Sequence, residues 1–198
     1  MNIKPPHIFF GMLGILVFGM AVVFSTAGRV SQPLEELATL GVVLPFDLTS
    51  SQGDPFASDH LEGKVWVADF IFTTCAGPCP LMSQKMARLQ RTFRRVPAVA
   101  LVSFTVDPET DTPEVLAEYA RLLGADPDRW HFLTGEYDAI QKIAVKSFAL
   151  GSVENPIHHS TYFTLVDKRG NIRGYFDSND RSAMERLITD IQRLLAAT

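Results

Sequence analysis

The sequence predicts an α/β domain, a mixed sheet flanked by helices, preceded by one N-terminal transmembrane helix. Three observations carry that reading. From Phe46 onward, β-branched and aromatic runs alternate with stretches of helical period. The last two such runs are joined by a tight turn instead of a helix, and twenty residues near the start, Ile8 to Ala27, contain no charge.

The uncharged run, IFFGMLGILVFGMAVVFSTA, reaches roughly 30 Å at about 1.5 Å per residue, the thickness of a bilayer's hydrocarbon core. Ser25 and Ala27 resemble a signal-peptidase site, but the apolar stretch exceeds the length of a signal-peptide core, so an uncleaved anchor is the preferred reading. Lys4 precedes the span, and Arg29, Glu35 and Glu36 follow it, a slight bias toward an extracytoplasmic domain. Residues 1–28 are therefore read as the membrane anchor, 29–45 as a tether broken by Ser31 and Pro33, and 46–198 as the folded domain. Net charge is −4, and because Lys4 is the only charged side chain before Arg29, the remainder carries −5. No basic stripe and no aromatic–basic patch stands out, and an acidic domain argues against a nucleic-acid partner.

Val65–Phe72 (VWVADFIF) reads as a buried central strand. LMSQKMARLQRTF follows with Leu81, Met82, Met86, Leu89 and Phe93 at helical intervals. Ala98–Val106 is a second buried strand. Thr112, Pro113 and Glu114 supply an N-cap, a first-position proline and a first-turn acid for the next helix, and Gly124 ends it. Trp130–Gly135 is a short strand, and the helix after it presents Tyr137, Ile140, Ile143, Ala144 and Phe148. TYFTLVD and IRGYFD flank KRGN as a hairpin, and a final helix carries Met184, Leu187, Ile188, Ile191, Leu194 and Leu195 on one face. The order β-α-β-α-β-α-β-β-α is the thioredoxin-like arrangement.

The chain has two cysteines, Cys75 and Cys79, both in FTTCAGPCP between the first central strand and its helix. Sites of open α/β sheets collect at such strand ends. Their place in a Gly/Pro turn, not on an apolar face, argues against two inert buried thiols. A structural disulfide closing so small a loop would remove little chain entropy. A redox pair and half of a metal site remain, and a helix N-terminus favours a thiolate for either. Of five histidines, His7 borders the apolar run, His60 lies in a polar loop and His131 alternates within a strand. His158 and His159 directly precede a strand expected beside the first, and neighbours in an extended segment point opposite ways, so one of the two can readily face the cysteines.

Three stretches together resemble the SCO/SenC family of membrane-anchored, thioredoxin-like copper proteins: FTTCAGPCP, VSFTVDPETDTPEVLAEYA (Val102–Ala120) and HSTYFTLVDKRGNIRGYF (His159–Phe176). The resemblance covers residue 45 to the end. It implies a chaperone that carries a copper ion to the copper-receiving subunit of cytochrome c oxidase, for its binuclear centre, with Cys75, Cys79 and His159 as ligands. Soft thiolates suit Cu(I), and an imidazole would complete a three-coordinate site. Two departures stand out: Ala76 replaces a frequent proline, and His158 replaces a common aspartate beside the ligand histidine. The resemblance also admits a second reading, a thiol-disulfide oxidoreductase whose catalytic redox pair is Cys75 and Cys79. The three-residue spacer departs from the Cys-x-x-Cys redox loop and favours metal. The Asp107–Asp111 segment reads as a loop and helix cap, or as a support for the site or a docking element.

Overall fold

A computed structural model describes residues 37–151 and 160–197. The anchor expected over Ile8–Ala27, and both His158 and His159, lie outside the described residues. Among the described residues no helix is long and apolar enough to cross a membrane.

The fold is a mixed α/β sheet with helices on both sides. Its strands are β1 (Gly41–Val42), β2 (Asp47–Ser50), β3 (Pro55–Ala57), β4 (Val65–Ile71), β5 (Val99–Thr105), β6 (Trp130–Thr134), β7 (Tyr162–Val166) and β8 (Asn171–Asp177). They lie in the order β1-β8-β7-β4-β5-β6-β2-β3. The centre, β4-β5-β6, is parallel, and both flanks are antiparallel. Helix α1 (Cys79–Thr92) crosses from β4 to β5, and α2 (Pro113–Leu123) from β5 to β6. Helix α3 (Tyr137–Lys142) continues into a π-turn (Ile143–Ser147), and α4 (Arg181–Ala196) closes the chain.

Period-two alternation divides β4 between two cores. Val65, Val67 and Ile71 meet Met82, Met86, Leu89, Leu116, Leu187 and Ile191 from α1, α2 and α4. Trp66, Ala68 and Phe70 meet Ile140, Ile143 and Phe148 on the other face. There Phe70 stacks on Phe104 with centroids 5.1 Å apart, and Phe148 stands edge-on to Phe70. The capping signals act as read: Thr112 Oγ1 accepts from Val115 N–H, and Gly124 takes the left-handed conformation at φ 64°.

The structure differs from the sequence reading in four places. Within the segment read as tether, Gly41–Val42 pairs with β8, and β2 and β3 add an antiparallel hairpin beyond β6. Leu81, placed on the apolar face of α1, is 50 % exposed, and Tyr137 is also exposed. The helix after β6 loosens into a π-turn, where Phe148 N–H donates to Ile143 five residues back, and Phe148 is fully buried. Asp167 organises the β7–β8 turn, accepting from the backbone of Arg169 and Asn171 and pairing with Arg173 at 2.8 Å. Arg173 also donates to the carbonyl of Leu37, which ties the start of the described chain to β8.

Candidate metal and redox site

Strand β4 delivers the loop Phe72–Pro78 to the end of the sheet where α1 begins. Cys75 stands in this loop and Cys79 is the first residue of α1, with Pro78 as N-cap and Pro80 in the first turn. Both prolines sit where a backbone N–H has no helical partner, so they stiffen the start at little cost.

Both cysteines are free thiols, and both are buried, Cys75 at 6 % and Cys79 at 3 % exposure. This corrects the expectation of an exposed loop away from any apolar face: the sulfurs belong to the core cluster of Ile71, Met82 and Met86. The loop residues above them, Thr74, Ala76 and Gly77, are exposed. A β-carbon at Gly77 would lie 3.7 Å from Cys75 Sγ, so glycine there leaves the approach to that sulfur uncrowded.

The two thiols are electronically unequal. Burial alone would raise Cys75, but the Cys79 thiol and the backbone N–H groups of Cys79 and Gly77 donate to it, and its pKa falls below the ordinary value. Burial pushes Cys79 up to about 12, and its hydrogen bond to Cys75 and the nearby charges of Cys75 and Asp69 push in the same direction. The helix N-terminus therefore activates the cysteine ahead of it: the first amide of α1 is spent on Cys75, not on the cysteine that carries it.

Two buried carboxylates flank the pair. Asp111, from the DPETDT segment, accepts from Thr73 N–H at 3.1 Å, Thr73 Oγ1 at 2.5 Å and Thr105 Oγ1 at 2.5 Å. It clamps the start of the cysteine loop to the end of β5. Asp69 lies in the middle of β4, on the row of Val65, Val67 and Ile71 that faces α1, and is fully buried. Ser103 Oγ donates to its Oδ1 at 2.6 Å, and Trp130 Nε1 donates in turn to Ser103 at 2.9 Å. Its Oδ2 has no hydrogen-bond partner. Burial raises the Asp69 pKa to about 7, against the hydrogen bond from Ser103. Tyr119 Oη and Ser83 Oγ, 2.9 Å apart, join α2 to α1, and burial followed by the charges of Asp69, Cys79 and Cys75 raises the tyrosine.

Sequence reasoning passed over Asp69 inside VWVADFIF, although an acid in an otherwise apolar central strand was a signal in itself. It also left the role of Asp111 open. His60 is exposed, as expected, and pairs with Asp59 at 3.8 Å. His131 packs on the Phe56 ring with its Nε2 buried and unpartnered, and burial lowers its pKa to about 4, consistent with a structural histidine. Among the described residues no group of three histidine, cysteine or carboxylate side chains is placed to hold a metal. A cleft of about 610 Å³ is lined by Phe46, Trp66, Lys168 and Gly170 at the other end of β4. The cysteines are not part of it.

A thioredoxin-like sheet with two reduced, hydrogen-bonded thiols at a strand-to-helix turn defines a class of thiol and soft-metal proteins. Within that class the SCO1/SenC family profile matches residues 35–196, and the chain belongs to that family. A SCO1/SenC family lipoprotein from Bacillus anthracis superposes with a TM-score of 0.73 at 33 % identity, over 82 % of this chain and 99 % of its own. BsSco, described as a member of the Sco family of cytochrome c oxidase assembly proteins with an identified disulfide switch, gives 0.71 at 30 % identity, over 83 % and 100 %. A putative copper-binding protein of Stutzerimonas stutzeri is 30 % identical, over 65 % of this chain and 66 % of its own length.

Proposed function

We propose that this chain is a membrane-anchored copper-delivery protein, holding one copper ion through Cys75, Cys79 and His159 and passing it to the copper-receiving subunit of cytochrome c oxidase. The observation that carries the reading is the cysteine pair itself. Two sulfurs lie in hydrogen-bonding contact, one lowered toward thiolate, beneath a loop whose glycine leaves the approach open. Soft Cu(I) displaces the remaining thiol proton as it binds, and the raised Cys79 makes uptake release a proton near neutral pH. Strand β7 runs antiparallel to β4, so it begins at the end of the sheet from which the cysteine loop leaves. Ser160, which follows His159, is buried just ahead of β7. That connectivity supports His159 as the third donor, and the copper-binding relative supports the choice of metal. The uncharged run Ile8–Ala27 supplies the anchor, with the domain on the extracytoplasmic side, where a cysteine pair can also be oxidised.

A second reading is favoured by one specific feature, the opposed shifts of the two thiols. A lowered Cys75 attacks and a raised, buried Cys79 waits, which suits a thiol-disulfide oxidoreductase acting on a partner's cysteines. Competition for Cu(I) against a chromogenic chelator separates the two. One tight equivalent in the reduced protein, lost in Cys79→Ser, weakened by His159→Ala and unchanged by His158→Ala, is the result expected for delivery. A wild-type protein that fails to compete, yet exchanges readily with a test disulfide, sinks it and leaves the reductase.

A further inference from the structure

The chain is acidic overall, but its charge is unevenly placed. From Cys79 to Arg95 there are five cations, Lys85, Arg88, Arg91, Arg94 and Arg95, and no acid. Subtracting these five from the chain's −4 leaves −9 elsewhere. The side chains of Arg88, Arg91, Arg94 and Arg95 make no ion pair among the described residues, whereas Arg121, Arg129, Arg173, Arg186 and Arg193 each have an acidic partner. This run corrects the expectation of no basic stripe: net charge averages over the whole chain and hides a local excess. Lys85, Arg88 and Arg91 lie on the helix that begins at Cys79, and Arg94 and Arg95 in the turn just beyond it.

This helix also borders a cleft of about 550 Å³ against α4, whose rim carries Lys85, Arg88 and Arg181 and whose floor includes Leu89, Met184 and Ile188. Lys85 donates to the Ser178 carbonyl, which fixes one end of the rim to the β8–α4 turn. Leu81, exposed in the first turn of α1, lies four residues before Lys85 and seven before Arg88, on one helical face. One continuous strip therefore runs from an exposed leucine beside Cys79 to a cationic cleft with an apolar floor.

We propose that this strip and cleft are the docking surface for an acidic, amphipathic segment of the protein partner that receives from the cysteine pair. The inference rests on the delivery reading for what is passed, not for where the partner sits. Charge complementarity selects an acidic occupant. The concave, apolar floor selects projecting side chains over a flat lipid surface or a duplex backbone. Glu185 on the same rim disfavours a fully charged polyanion and suits carboxylates interspersed with leucines.

The test uses full-length protein in nonionic detergent and a fluorescein-labelled peptide of repeated Glu-Glu-Leu, followed by anisotropy. Binding that weakens with added salt, and falls about tenfold or more in Arg88→Glu/Arg181→Glu, is expected. Lys142→Glu, an exposed change of charge on the opposite face of the sheet, should leave it unaltered. Equal loss in Lys142→Glu, or no peptide binding at all, overturns the proposal. Tighter binding of short-chain phosphatidylglycerol or of a DNA duplex overturns it too, in favour of a membrane or nucleic-acid surface. Cu(I) stoichiometry is read on the same samples. Peptide binding without copper binding sinks the delivery reading and spares the docking surface, and the converse does the reverse.

Discussion

Asp69 and Asp111 are both fully buried, both near the cysteine loop, and the fold treats them oppositely. Asp111 receives hydrogen bonds from Thr73 and Thr105 to both of its oxygens, whereas Asp69 has one donor, Ser103, and an oxygen with nothing to accept from. A carboxylate with its acceptor capacity filled is a fastener. One left half-satisfied among apolar side chains keeps its proton to about pH 7 and responds to charge nearby. The first holds the loop that carries Cys75. The second adds only a minor push, once it ionises, to the burial that keeps the Cys79 thiol protonated.

The sharpest way to break the comparison is Asp111→Ala, which strands the Thr73 N–H and two hydroxyls. A loss of roughly 4 kcal/mol or more in urea unfolding is expected, because each bond goes to a charged acceptor in the interior. A loss near that of an exposed substitution would show that the clamp is not what orders the loop.

Asp69→Asn should do something different in kind. In the unfolded chain this acid ionises near pH 4, in the folded chain near 7, so between those values the folded state binds more protons. This acid's contribution to stability therefore falls as pH rises through that window, by roughly 3–4 kcal/mol, and that contribution should vanish in the asparagine variant. His131 works in the opposite sense. Its folded pKa is about 4 against an ordinary 6.5, so its contribution is lost as pH falls from about 6.5 to about 4, amounting to roughly 2–3 kcal/mol. The wild-type profile should then be nearly flat from about pH 4 to 6.5, tilting upward with pH in Asp69→Asn and downward in His131→Phe. Chemical denaturation across pH checks all three curves, and parallel curves would contradict the assignment.

The smallest effect concerns the sulfurs. Iodoacetamide at neutral pH should label Cys75 first, and Asp69→Asn should leave the slow rate at Cys79 within about twofold, because burial and not the aspartate's charge holds that thiol up. Peptide mapping gives the site, and preferential labelling of Cys79 in the wild type would reverse the roles given to the pair.

Much of this molecule was legible before its structure. The strands of the central sheet and the four α-helices among the described residues announce themselves through length, period and caps, since each run is long enough to show its pattern locally. Strands β1, β2 and β3 do not, because runs of two to four residues gain their pairing from distant partners, β8 and β6. The cysteine pair was visible as a motif, but its burial was not: a Gly/Pro turn reads as surface, and only the packing of α1 against β4 seals the sulfurs beneath it. Asp69 was hidden by its setting, an acid inside a strand read for its apolar residues. The cationic face of α1 escaped because net charge averages over the whole chain. His159 came from motif resemblance and from its place ahead of β7.

The most direct test of the central claim is copper K-edge absorption spectroscopy on the Cu(I)-loaded protein and on His159→Ala. The account predicts two sulfur scatterers and one nitrogen in the wild type, with the nitrogen lost in the variant. A spectrum of two sulfurs alone, identical in both proteins, would contradict the three-ligand site.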